Sequence, residues 1–398
     1  MRRTLSLPLA VGATLAAART AAWLLRPRVP RPPAEQVDAR AYFSDAELAR
    51  ARAFRRPQRV IAAAALVLDV ALTARAIRRP PGRSLPPVAG GAAGAAALNL
   101  GSAVAGLPLG ALSRKRSLDA GLATQSWRDW GIDLVKAQAI STTFAAAAGA
   151  LLVAGMRRFG DRWWLPGAGA LAGTGVLALW VGPTLLDPIF NTFTPAEPDL
   201  RDDVVALAAS GGVKVDRVLV VDASRRTTAS NAYVTGLGPT KRVVFFDNLL
   251  ADFTREEVRF VVAHELSHVR HRDVPRALAQ LAVVAPVLTL AAQTIAEDGL
   301  GAQADARAVP AVAAALGLLA PAVAIAGAQL SRAVERRADA FALDLTKDPQ
   351  TLIDFHRRIA VKNLVEPDPP RWLQALAGSH PTTLERIGIA EAVRRCAS

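Results

Sequence analysis

The chain has 398 residues, 52% of them hydrophobic, with a mean hydropathy of +0.24 and 48 basic against 34 acidic residues, a formal charge of +14. Its apolar residues gather in uninterrupted blocks of about 18 to 25, the length that crosses a bilayer, which excludes an ordinary water-soluble single-core enzyme. The single Cys396 excludes an internal disulfide framework, a multi-cysteine metal site and a CxxC redox pair. The basic surplus is almost all Arg, with no zinc-finger spacing or aromatic-basic RNA module beside it. Nucleic acid is therefore not an expected partner, and the Arg-rich flanks read as groups that orient membrane helices and meet anionic headgroups.

In chain order, seven apolar blocks run over residues 5–25, 58–77, 87–112, 138–156, 163–187, 276–295 and 308–330. The first, following Arg2 and Arg3 and containing Arg19, reads either as an anchored helix or as a cleaved signal. The third is rich in Gly and Ala, which suits close helix packing in a membrane. The expected fold is a predominantly α-helical polytopic membrane protein with about seven transmembrane helices. Basic residues bias the loops: 13 lie in the loops after the first and third blocks, from Arg26 to Lys136, against 9 on the other side. That bias places the odd-numbered loops and the C-terminal region on the cytoplasmic side of what is expected to be the cell membrane.

Two hydrophilic segments, 191–275 and 331–398, flank the last two blocks and so face the same side, where together they can form one domain. The expected organisation is a membrane part over 1–190, a first soluble part over 191–275, a helical hairpin over 276–330 and a second soluble part over 331–398. In the first soluble part a helical pattern at Leu200, Val204, Val205 and Leu207 precedes three strand-like runs, Val218–Val221, Asn231–Val234 and Val243–Phe246. Gly236, Gly238 and Pro239 predict a hairpin-type turn between the last two.

Thr254 and Glu257 form the sequence pattern of a capping box, and Val258, Val261, Val262, Leu266 and Val269 follow at helical spacing. Inside this helix lies His264-Glu265-Leu266-Ser267-His268. At about 100° per residue the two histidines fall about 40° and one turn apart, so both imidazoles can reach one ion, with Glu265 beside them to act on water. Zinc asks for a third protein ligand and an open fourth position. His271, Asp273, Glu335, Asp339, His356 and His380 are the candidates; His271, one turn beyond His268, would crowd the ion and reads as a surface residue. Glu335 and Asp339 form an i, i+4 pair: one can bind metal while the other accepts a hydrogen bond from a ligand imidazole, or both can pair with Arg332 and Arg336 on a solvated face.

The chain resembles the type I CAAX prenyl protease family of integral-membrane zinc metallopeptidases, related to bacterial heat-shock membrane zinc proteases. The resemblance rests on the HELSH motif, on Glu335-Arg336-Arg337-Ala338-Asp339, and on further stretches in the family's order. These are Gly121–Ser126 with Trp130 and Lys136, Pro188–Pro195, Ser230–Val234, Phe246–Leu249 and Ser379–Arg386. It implies a zincin-like α+β peptidase domain split by the last two helices, one zinc ion held by His264, His268 and Glu335, Glu265 as general base, and Asp339 orienting a ligand. It further implies that His380 and Arg386 help position substrate or transition state, against the alternative of a helix-start turn with Arg386 in a structural salt bridge. Asn231, Ala232 and Tyr233 resemble the family's edge strand, along which an extended peptide pairs; the alternative is an ordinary buried strand.

The chemistry so implied is hydrolysis of peptide bonds in membrane-associated polypeptides by a zinc endopeptidase. Ser267 stands where prenyl proteases commonly carry Gly, and the following Val269–Asp273 run is more like the heat-shock branch. The alternatives are a true CAAX endopeptidase cutting after a prenylated Cys, and a receptor or transport-like bundle with an inactive domain. The expected partners are a peptide or protein substrate and the lipid bilayer, with oligomeric state left open.

Overall fold

The computed structural model describes residues 6–29, 32–215, 217–235 and 242–397. Among the described residues, seven helices are long and apolar enough to cross a membrane: α1 (Leu7–Leu25), α2 (Asp45–Arg78), α3 (Pro87–Asp119), α4 (Trp127–Phe159), α5 (Trp164–Val181), and, later in the chain, α10 (Asp273–Thr294) and α11 (Ala308–Thr346). Val60, Leu66, Val67 and Val70 of α2 are all more than 60% exposed. An apolar face of that kind is stable against lipid rather than water.

Four of the helices, α2, α3, α4 and α11, run well past the apolar blocks that announce them. α2 begins thirteen residues before the expected block, because Ser44 and Glu47 close a capping box and good helix formers carry the chain into the apolar run. With 34 residues it is about 50 Å long, against about 30 Å of hydrocarbon. It is therefore long enough to cross the hydrocarbon and project well beyond it. α3 and α4 do the same, and α11, with 39 residues, carries its last turns into the soluble part.

Close packing at the glycine-rich third block is as expected. A Cβ at Gly91 would lie 2.6 Å from the Gly149 carbonyl oxygen, and one at Gly149 would collide with the Gly91 carbonyl, so α3 and α4 meet backbone to backbone. α1 is an integral part of the bundle: Ala10, Ala18 and Ala21 are fully buried against α10 and α11.

Between α5 and α10 lie α6 (Asp187–Phe190), β1 (Phe193–Pro195), α7 (Pro198–Ser210), β2 (Val218–Val221), β3 (Ala232–Thr235), β4 (Arg242–Phe246), α8 (Asp247–Asp252) and α9 (Arg255–Arg270). After α11 follow α12 (Pro349–Lys362), α13 (Arg371–Ala377) and α14 (Thr383–Ala397). The sheet order is β1-β2-β4-β3, with β2 and β4 parallel and both outer pairs antiparallel. β1 is an element the sequence pattern does not announce. The antiparallel β3–β4 pairing agrees with the expected hairpin, whose turn at Gly236, Gly238 and Pro239 lies outside the described residues.

One core joins the soluble segments on either side of the α10–α11 hairpin. Val243 and Phe245 of β4, Phe260 and Leu266 of α9, Leu352 of α12 and Ile387 and Ile389 of α14 are all buried in it. The loop after α3 is sewn to the segment before β3: Thr124 and Thr228 exchange backbone bonds with Arg226 and Leu122, and Ala123 bridges Thr227. The membrane helices thus brace the strand beside the site.

Candidate metal centre

α9 starts at its capping box, with Thr254 N–H donating to Glu257 Oε2 (2.8 Å) and Glu257 N–H to Thr254 Oγ1 (3.3 Å). Val258, Val262 and Leu266 bury one face, which turns His264 and His268 toward α11. Their Nε2 atoms lie 3.4 Å apart. Glu335 on α11 meets both, Oε2 at 3.3 Å from His264 Nε2 and Oε1 at 3.6 Å from His268 Nε2. Tetrahedral bonds of about 2.0–2.1 Å space their ligand atoms about 3.3–3.4 Å apart, so three ligands of the right chemistry stand at the right separations for one ion.

Each imidazole is held from behind by a carboxylate. Asp339 Oδ1 lies 2.9 Å from His264 Nδ1, and Asp273 Oδ2 lies 3.0 Å from His268 Nδ1. A proton on each Nδ1 leaves each Nε2 lone pair aimed at the shared point. The buried Glu335 Oε2 has no hydrogen-bond donor among the described residues. Burial pulls the His264 imidazole down, but Asp339 and Glu335 outweigh it and carry it up to about 10: the pocket draws positive charge. On both counts the residues fit a divalent cation.

Glu265 projects beside the histidines. Burial pushes its carboxyl up, and its Oε2 accepts the Val234 N–H of β3 at 3.2 Å. β3 is one of the two edge strands of the described sheet, the one beside α9. Asn231 C=O accepts from Phe246 N–H on the β4 side. By strand alternation, the Ala232 and Val234 amides face the open side.

A cavity of about 140 Å³ joins these elements, lined by Asn231, Ala232, His264, Glu265, Glu335, His380 and Arg386, with Leu249, Phe260, Val261, Phe355, His356 and Ile359 behind them. His380 Nε2 stands 3.5 Å from Glu335 Oε2 and its side chain is largely exposed. Arg386 Nε donates to Asp339 Oδ2 (2.7 Å) and its Nη2 to Asp339 Oδ1, which makes it a clamp on the carboxylate behind His264. Tyr233 is not brought to the cavity; its ring packs edge-on against Phe246 at 6.4 Å.

The solvated-face alternative for Glu335 and Asp339 does not form: both are buried, Arg332 donates to the Gln374 and Gly378 carbonyls, and Arg336 pairs with Glu385. His271 is half-buried rather than a surface residue, its Nδ1 donating to the Ser267 carbonyl at 2.9 Å and its ring edge-on to Phe341, because α9 ends there against α11. Three contributors carry roles that the sequence pattern does not assign. Asp273 holds a ligand rather than serving as one. Asn363 clamps Ser230, two residues before β3, taking its N–H at 3.1 Å and giving its own amide to its C=O at 3.2 Å. Asn248 donates to the Thr227 and Ala229 carbonyls, both at 3.0 Å, fixing the same segment. Asn248 carries a signal in the sequence through its place in the Phe246–Leu249 stretch and Asp273 through its place among the candidate ligands, while Asn363 carries none.

The sequence profile of peptidase family M48 matches residues 195–394, and that of the CAAX prenyl protease N-terminal region, five membrane helices, matches residues 88–192. The chain is 28% identical over 304 residues to the uncharacterized metalloprotease YhfN of Bacillus subtilis, covering 74% of this chain and 71% of that protein. It is 41% identical over 95 residues to CAAX prenyl protease 1 of Saccharomyces cerevisiae, covering 23% of this chain and 21% of the yeast protein. It is also 33% identical over 180 residues to a protease HtpX homolog of Listeria monocytogenes, covering 41% and 58%. The crystal structure of S. mikatae Ste24p superposes with a TM-score of 0.74 at 21% identity, covering 98% of this chain and all of that one, so the two share a fold.

Proposed function

Because the chain belongs to peptidase family M48 and is a multi-pass membrane metalloendopeptidase, we propose that it uses zinc, held by His264, His268 and Glu335, to cut membrane-associated polypeptides. The observation that carries this reading is the convergence of three ligand atoms within 4.8 Å of one another, directly beside the half-buried Glu265 carboxylate and the open edge of β3. When bound, such an ion supplies Lewis acidity toward a carbonyl oxygen and acidifies water.

The remaining work falls to the chain. An extended substrate adds to β3, pairing with the outward N–H and C=O of Ala232, while the Val234 N–H stays on Glu265 Oε2. Asn363 and Asn248 hold that strand in place through the segment before it. Glu265 takes the proton of the attacking water and delivers it to the leaving amine nitrogen. Its raised carboxyl suits a group that must both accept and release a proton. His380, exposed at the cavity wall, donates to the substrate carbonyl oxygen as charge develops there. Arg386 acts through Asp339, keeping His264 oriented.

The chain divides into a membrane part over 1–190, a peptidase part over 191–275 and 331–398, and the 276–330 hairpin between them, with the peptidase part cytoplasmic. The Ser267 position and the HtpX-like relative favour a broad membrane substrate range; the yeast relative keeps cleavage after a prenylated Cys as the second reading. Terminal proteomics of membranes carrying the active protein, against membranes with Glu265→Gln, separates them. Many unrelated new membrane-protein termini support the first reading, and new termini confined to prenylated proteins replace it with the second.

A further inference from the structure

α1 and α11 run side by side in the same direction. Ala10 packs with Ala308 and Ala311 at one end, and Ala18 and Ala21 with Ala326 and Val334 at the other. Both segments turn basic at the same depth, at Arg26 and Arg28 just past α1 and at Arg336 and Arg337 on α11. Trp23, 58% exposed and 5.7 Å from the Arg26 guanidinium, marks that depth as a bilayer interface, where amphipathic rings settle.

A cavity of about 260 Å³ opens there, lined by all four arginines with Pro27 and Ala333. Two of its guanidiniums are matched, Arg336 by Glu385 and Arg337 by Asp273. Arg26 and Arg28 have no carboxylate partner among the described residues. Arg337, 5% exposed, also buries its Nε without an acceptor. The cavity thus combines two unmatched cations, a buried unused donor and a mouth beside the lipid-facing Trp23 and Leu24.

We propose that this cavity binds the phosphate of an anionic phospholipid. Guanidinium forks match phosphate oxygens in geometry as well as charge. A free phosphate would satisfy the same donors, but the exposed apolar end of α1 gives acyl chains a place to lie directly below the headgroup. The site stands apart from the peptidase reading. It nevertheless adjoins the metal centre, since Arg337 contacts the Asp273 carboxylate that holds His268.

The test places the full-length protein and Arg26→Gln/Arg28→Gln in nanodiscs of phosphatidylcholine with added phosphatidylglycerol, and counts retained phosphatidylglycerol by native mass spectrometry. The expected result is about thirtyfold weaker retention in the double variant, in line with two interfacial basic residues. Retention should return with Arg26→Lys/Arg28→Lys, which keeps the charge. Should the double glutamine variant not fold, the exposed Arg28→Gln alone is expected to lose part of the retention. Equal retention in wild type and the glutamine variants overturns the proposal. Displacement of the lipid by equimolar glycerol 3-phosphate overturns the lipid assignment in favour of a soluble anion.

Discussion

Asp273 Oδ2 lies 3.0 Å from His268 Nδ1, across the break between the helix that carries the HExxH motif and the membrane helix that follows. The break is a single left-handed residue, Arg272 at φ 54°, which reverses the chain so that the first residue of α10 returns to the imidazole five positions earlier. Arg276 and Arg337 both pair with the same carboxylate. A membrane helix is thereby fastened to a side chain of the candidate metal centre.

Asp273→Asn keeps the shape but removes the charge behind His268. Loss of such a partner costs about 10- to 100-fold in metal affinity or activity. Zinc titration against a competing chelator should show that weakening without loss of the folded protein. Unchanged affinity would mean that His268 is oriented by packing alone.

Most of the bundle is legible in the sequence because uninterrupted apolar runs of membrane length are seldom stable in water, and the HExxH spacing places two imidazoles on one face whatever surrounds it. Glu335 and Asp339 are ambiguous on spacing, since an i, i+4 acidic pair flanked by arginines serves a wet surface equally well. What decides between the readings is a contact across 75 residues, from Asp339 to His264, which no local pattern carries. Asn363 is hidden for the same reason, since it acts on Ser230 across 133 residues, whereas Asp273 reaches His268 only five residues back through the left-handed turn at Arg272. Helix ends run past the apolar blocks where polar helix formers, as at the start of α2, extend the helix into water.

Ala232→Pro tests the docking strand. The Ala232 amide faces away from β4, so its loss leaves the sheet ladder intact while removing a donor from the open edge. Hydrolysis of a quenched peptide should fall at least about tenfold, mainly through KM, with zinc content unchanged. Normal KM would exclude β3 as the edge that receives substrate.

His356 lies behind the cavity, edge-on to Phe260 at 5.9 Å, and its Nε2 is buried without a partner among the described residues. Burial holds its imidazole well below the ordinary value, with Arg386 adding to the effect. Unfolding releases it to titrate near about 6.5. The unfolded chain therefore binds the extra proton as pH falls below that value, and the native state loses up to about 1.4 kcal/mol per pH unit until the folded group itself titrates. His356→Leu should show a smaller drop in Tm between pH 7.5 and 5.5 than wild type, each in the same detergent. Parallel drops would show that acid sensitivity arises elsewhere.

We predict from the 13-to-9 basic bias that Asp247 lies on the cytoplasmic side and the loop at residues 80–85 outside. Cysteines introduced at 247 and 83, in a background with Cys396→Ser, should label with an impermeant maleimide only at 83 in intact cells. Labelling at 247 without permeabilisation would invert the topology and put the peptidase part outside.

The central claim, that His264, His268 and Glu335 hold the ion while Glu265 moves the proton, is tested most directly by metal analysis and peptide hydrolysis on the same purified Glu335→Ala and Glu265→Gln proteins. Glu335→Ala loses one of three protein ligands and should lose both tightly held zinc and activity. Glu265→Gln keeps its shape but cannot accept a proton, so it should retain stoichiometric zinc while turnover falls by about 10²- to 10⁴-fold. Full zinc in Glu335→Ala, or full turnover in Glu265→Gln, would contradict it.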